Sequence, residues 1–108
     1  MYIRTECGLI QIYEFNRNIE LETVAELVNG ETINYKVKKQ GDNLIDVLEA
    51  GDIARDTITN TTLIIKEFDG KFVIFNDDTC TSFVDIVNFK IITHEQYMKL
   101  EQEVNNVY

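Results

Sequence analysis

The sequence TTLIIKEFDGKFVIFN, residues 61–76, decides the fold of this chain. Its two halves are rich in β-branched and aromatic residues, so they predict strands over residues 61–68 and 71–76. Large apolar side chains lie on both faces of this hairpin. That pattern is typical of strands at the centre of a sheet, because both faces are then covered.

Asp69-Gly70 lies between the two strands and predicts a two-residue turn, because Asp and Gly tolerate the positive φ angles that such turns require. This turn would place Glu67 opposite Phe72 and Ile65 opposite Ile74. The sequence therefore predicts the pairing register of this hairpin as well as its two strands.

Apolar and polar residues alternate elsewhere in the chain, which predicts more antiparallel strands. These strands are expected at residues 2–6, 9–15, 32–38, 52–59 and 83–92. Residues 19–28 are ambiguous, since their apolar residues fit either a helical face or a strand. A short helix is favoured there.

Two further helices are predicted. Asp42 or Asn43 can cap a short middle helix that Gly51 would end. Its apolar stripe comprises Leu44, Val47 and Leu48. Thr93-His94-Glu95-Gln96 is a capping box, and apolar residues recur at helical spacing from Tyr97 to the C-terminus.

These elements predict a single α+β domain over residues 1–108. A curved antiparallel sheet, or a small partly open barrel from Gly51 onward, would pack against the short middle helix and the C-terminal amphipathic helix. The length of 108 residues suffices for one core but not for two lobes around a cleft.

The formal net charge of −9 opposes direct binding to nucleic acid or to an anionic membrane. No targeting signal or membrane-length apolar run is evident in the sequence. Cys7 and Cys80 are isolated and predict free thiols, so we expect a cytoplasmic protein.

Catalytic, cofactor and metal sites are not expected, because the chain has one His, two isolated Cys and no glycine-rich phosphate loop. His94 beside Glu95 is a candidate general base, but a first helical position is usually exposed and without a nucleophile. The sequence therefore predicts no enzyme. The basic cluster contains Lys36, Lys38 and Lys39, which suits either a protected edge strand or nucleic-acid contact.

Residues 41–80 hold nine acidic and only three basic side chains. On the predicted middle helix, Asp42, Asp46 and Glu49 are spaced i, i+4 and i+7, and Asp52 would extend the row. One interpretation is a solvated helix face. The other is a partner-binding surface that mimics nucleic-acid phosphates and occupies a basic groove.

The opening MYIRT, the stretch KQGDNLIDVLEAGD at residues 39–52 and the stretch IITHEQY at residues 91–97 resemble a group of small phage and prophage proteins of Gram-positive bacteria. The resemblance implies expression inside an infected or lysogenic bacterium, and it supplies no site residues. By analogy, short acidic phage proteins often inhibit host defences, including CRISPR effectors.

We therefore expect the chain to inhibit a host nuclease or CRISPR effector by binding the basic surface of that host protein. The alternative is a structural or accessory interaction module, which forms a homodimer through an exposed strand or through the C-terminal helix.

Overall fold

A computed structural model describes residues 1–13 and 21–105, with residues 101–105 as backbone. The chain divides into two compact units, Met1–Val47 and Leu48–Tyr108. Parts of three predicted elements lie outside the described residues, namely positions 14–15, 19–20 and 106–108. The described elements form an α+β fold of antiparallel strands with one C-terminal α-helix.

The first unit contains a three-stranded antiparallel sheet and a separate two-stranded hairpin. Its strands are β1 (Tyr2–Thr5), β2 (Gly8–Gln11), β3 (Thr23–Val28), β4 (Glu31–Lys36) and β5 (Lys39–Gly41). β1 lies between β2 and β5, and Ile3 on β1 is fully buried. The strands predicted at residues 2–6 and 9–15 are found as a hairpin that turns at Glu6-Cys7, and its second strand ends at Gln11.

The helix favoured over residues 19–28 is wrong, because β3 forms a regular hairpin with β4. Asn29 and Gly30 both have positive φ, of 52° and 82°, as a two-residue hairpin turn requires. The turn places Val24 opposite Tyr35, and Val24 is buried. Strand pairing thus overrides the helical spacing of the apolar residues.

The predicted two-turn middle helix is replaced by a single 3-10 turn at Leu44–Val47. An α-helix would join the Gly51 N–H to the Val47 carbonyl. Instead, the buried Arg4 guanidinium donates to the Val47 carbonyl oxygen at 2.9 Å. The Gly51 N–H donates to the Ile65 carbonyl oxygen at 2.8 Å, so an α-helix cannot continue through this segment.

The second unit contains β6 (Ile53–Asp56), β7 (Thr62–Asp69), β8 (Phe72–Phe75), β9 (Cys80–Ser82), a 3-10 turn (Asp85–Asn88), β10 (Phe89–Ile92) and α1 (His94–Asn105). Its strands form a five-stranded antiparallel sheet with the order β10-β6-β7-β8-β9. The long strand predicted over 83–92 is thus shortened by the 3-10 turn. β7 occupies the centre of the sheet, as the sequence predicted.

The register predicted for the β7–β8 hairpin is wrong. Asp69 pairs with Phe72, so the turn residues are Gly70 and Lys71, and Gly70 has a φ of 60°. A bulge beside Ile65 then brings that residue opposite Phe75. This register places Val73 and Phe75 on the same buried face as Ile65, whereas the predicted register would have turned Phe72 and Ile74 inward.

The core of the second unit lies on one face of the five-stranded sheet. It is formed by Ala54, Ile65, Val73, Phe75 and Ile86, all at most 1% exposed. The Phe75 and Phe89 rings lie 5.6 Å apart. β9 and β10 are the two edges of this sheet and do not pair with each other, so the described strands form no closed barrel.

The Thr93 cap predicted at the start of α1 is confirmed. Thr93 is buried, and its Oγ1 accepts a hydrogen bond from the Gln96 N–H at 3.2 Å. Within residues 1–13 and 21–105, no helix is long and apolar enough to cross a membrane.

Two turns at the sheet ends are held by carboxylates. Asp56 Oδ1 accepts from the Ile58 N–H at 2.9 Å, and this bond is the main reason that the pKa of Asp56 is lowered. Asp77 Oδ1 accepts from the hydroxyl and the N–H of Thr79, and the hydroxyl bond is the main reason that the pKa of Asp77 is lowered. Both carboxylates are therefore more acidic than the ordinary value of 3.8.

We expect the contribution of Asp77 to the stability of the folded protein to depend on pH. Because its folded pKa is depressed, the stabilisation is fully present above 3.8 and is lost as the pH falls through the folded pKa. The gap in melting temperature between the wild type and Asp77→Ala should therefore narrow on acidification. Asp77→Asn is the control, since its gap to Asp77→Ala should not change with pH; a wild-type gap that widens on acidification would contradict the assignment.

Candidate functional site

The four acidic residues proposed for partner binding have different environments. Asp42 and Asp46 are exposed, and Asp46 Oδ2 accepts from the Asn43 N–H at 3.0 Å. The Glu49 side chain is 30% exposed, and Asp52 is fully buried. Because the 3-10 turn ends at Val47, the α-helical spacing that defined the row does not exist.

Asp52 tethers the segment before β6 to the start of α1. Its Oδ2 accepts from the Glu49 N–H at 2.8 Å, and its Oδ1 accepts from the His94 N–H at 3.1 Å. Its backbone carbonyl also accepts from the Ile65 N–H of β7, at 2.8 Å. Hydrogen bonds to an ionised carboxylate are stronger than neutral ones, which offsets the cost of burying this charge. Asp52 therefore has a structural position and is not available on the surface.

Glu49, His94 and Glu95 form a cluster, which we call the Glu-His-Glu cluster. His94 Nε2 lies 3.0 Å from Glu49 Oε1 and 3.0 Å from Glu95 Oε1. The side chains are partly exposed, at 37% for His94, 30% for Glu49 and 17% for Glu95. Water and small solutes can thus reach the cluster.

The sequence identified only part of this cluster. Its capping box placed His94 and Glu95 together at the start of a helix and predicted an exposed imidazole. Glu49 lies 45 residues upstream of His94, and no local spacing connects them. The sequence instead places Glu49 in the acidic row of a middle helix, and that helix does not form.

The chemistry of the cluster is that of an imidazole between two carboxylates. Such an imidazole can hold a proton as an ion pair, and the same three groups are ligands for divalent metals. In the part of the chain that the structure describes, the contacts of His94 Nε2 are to these carboxylates and not to a nucleophilic hydroxyl or thiol.

The remaining residues singled out by the sequence are dispersed. Cys7 and Cys80 are both exposed. Lys36 ends β4, Lys39 begins β5, and Lys38 lies between these strands; all three are exposed.

Comparisons of the chain with protein-family models, curated proteins and solved structures find no match. Function is therefore inferred from the charges, burial and side-chain geometry of the chain itself.

We expect Asp52→Ala to destabilise the protein, because it removes the buried carboxylate that accepts hydrogen bonds from the Glu49 and His94 N–H groups. Each unsatisfied group costs roughly 1–3 kcal/mol, so the free energy of unfolding should fall by about 2–6 kcal/mol in urea denaturation. Asp69→Ala removes an exposed carboxylate and should change the free energy of unfolding by less than about 0.5 kcal/mol. Equal effects of the two substitutions would show that Asp52 is not a tether.

Proposed function

We propose that this chain is a non-enzymatic, cytoplasmic binding protein of phage origin that inhibits a host nucleic-acid-binding defence complex, such as a CRISPR effector. Its carboxylates would occupy the basic surface on which the complex binds nucleic acid. The net charge of −9 supports this proposal, because it favours encounter with a positively charged protein and opposes direct binding to nucleic acid.

The observation that carries the proposal is the exposed carboxylate pair Asp42 and Asp46. Asp46 is held by the Asn43 N–H, and a Cβ at Gly41 would overlap its side chain. Among the described residues, neither carboxylate belongs to an ion pair. By contrast, Lys66 lies 3.2 Å from Asp78 and partly neutralises it. Asp42 and Asp46 therefore present two exposed charges, one of them held by a backbone N–H, and an arginine or lysine of a partner can bind such carboxylates.

This proposal narrows the surface inferred from the sequence. Asp42 and Asp46 remain the partner-binding residues. Glu49 is bonded to His94, and Asp52 is buried, so these two residues act within their own unit and are not proposed as partner contacts.

The proposal is tested with purified, guide-loaded CRISPR effectors whose DNA cleavage and DNA binding are measured with the protein present. We expect inhibition that weakens as salt is raised, because charge pairing at an exposed interface is screened. Asp42→Asn/Asp46→Asn should weaken inhibition by about tenfold, which corresponds to roughly 0.7 kcal/mol for each charge removed.

Glu22→Gln/Glu31→Gln is the matched control, because it removes two exposed charges from the same unit. It should leave inhibition nearly unchanged. Equal losses in the two double variants would mean that only net charge acts. If no effector tested is inhibited, the proposed inhibition of CRISPR effectors is wrong.

The exposed apolar side chains of α1 favour a second candidate, an accessory module that associates with itself. Tyr97, Met98 and Leu100 are 43%, 57% and 49% exposed, although an amphipathic helix normally buries its apolar face. Pairing of two such helices would cover these side chains in a homodimer.

Sedimentation equilibrium tests this second candidate. We expect the wild type to form a dimer and Leu100→Glu to shift it to a monomer, because the substitution would bury a charge in the interface. Ile58→Glu makes the same chemical change at a turn residue that is 91% exposed, and it should not affect dimerisation. A wild type that remains monomeric at every concentration would exclude the candidate.

A further inference from the structure

The Glu-His-Glu cluster brings three metal-ligating atoms to one place in the second unit. His94 Nε2 is 3.0 Å from a carboxylate oxygen of Glu49 and 3.0 Å from one of Glu95, and the three ligand atoms lie within 4.8 Å of one another. Two of these residues are adjacent in sequence, whereas Glu49 approaches from the segment before β6. This convergence is a property of the folded unit.

We propose that Glu49, His94 and Glu95 form a binding site for a divalent transition-metal ion of the zinc type. One imidazole nitrogen and two carboxylate oxygens are ligands that zinc accepts. Three protein ligands leave at least one coordination position for water or for a group from a binding partner. This proposal is independent of the proposed inhibitory function.

Two of the three separations between the ligand atoms are close to those around such an ion, and the third is no more than 4.8 Å. Zinc bonds to nitrogen and carboxylate oxygen are about 2.0–2.1 Å long, and a tetrahedron with these bonds places its ligand atoms roughly 3.3 Å apart. The observed separations of 3.0 Å from His94 Nε2 to each carboxylate oxygen are close to this value. Small rotations of the two Glu side chains would therefore admit the ion between them.

The backbone at the cluster is positioned before any ion arrives. Asp52 accepts hydrogen bonds from the N–H groups of Glu49 and His94, so one buried carboxylate fixes the separation of two ligand residues. Thr93 caps the first turn of α1 and thereby fixes the helix start that presents His94 and Glu95. Such support reduces the ordering cost of binding.

The alternative is a metal-free ion pair in which a protonated His94 is held by the two carboxylates. The two arrangements exclude each other, because a proton and a metal ion would occupy the same nitrogen of the imidazole.

The test is titration of the full chain with Co²⁺, observed by its visible d–d absorption, followed by displacement with Zn²⁺. We expect one equivalent to bind saturably and the His94 ring resonances to shift in NMR spectra. Glu49→Gln and Glu95→Gln each keep the shape of the side chain but remove a charged metal ligand. Each should weaken Co²⁺ binding by about 100-fold, because removal of a group that only supports a ligand already weakens metal binding by roughly 10- to 100-fold.

Glu67→Gln is the matched control, because it removes an exposed Glu of the same unit. It should leave Co²⁺ affinity unchanged, and circular dichroism should confirm that all variants remain folded. Absence of saturable binding, or equal affinity in the wild type and Glu49→Gln, would overturn the proposal. In the latter case the ion would be bound by other surface carboxylates.

Discussion

The carboxylate of Asp52 accepts hydrogen bonds from the backbone N–H groups of Glu49 and of His94, which lies 42 residues further along the chain. The backbone carbonyl of Asp52 accepts a third hydrogen bond, from Ile65 in the central strand. One fully buried residue thus joins the segment before β6, the middle of the sheet and the start of α1. Both carboxylate oxygens have backbone donors, which makes burial of this charge tolerable.

The acidic residues of the middle segment have different roles, because Asp52 is buried and hydrogen-bonded whereas others are exposed. Asp52 stabilises the second unit from within, and its hydrogen bonds position the backbone of Glu49 and of His94. Asp42 and Asp46 remain exposed in the first unit. The excess of negative charge between residues 41 and 80 therefore includes a buried structural group, one member of the cluster around His94 and exposed carboxylates.

Elements that depend on local patterns were predictable. The opening hairpin, the strand at β4, the central position of β7 and the capping box at Thr93 follow from alternation, turn residues and a hydroxyl at the helix start. Predictions failed where two local structures were nearly equivalent. Residues 23–28 suit helix and strand alike, and pairing with β4 decided between them. The middle helix failed because the Val47 carbonyl and the Gly51 N–H have other partners.

The sequence by itself determined the acidic charge, which follows from composition alone. It also determined the antiparallel strands and the C-terminal helix, because the periodicity that predicts them extends over only a few neighbouring residues. Only the tertiary structure decided the hairpin register, the burial of Asp52 and the approach of Glu49 to His94. The physical reason is that these features depend on which apolar face is covered and on which distant backbone group satisfies a buried carboxylate. The contacts of Asp52 and Glu49 with His94 join residues more than 40 positions apart, and no local spacing encodes them.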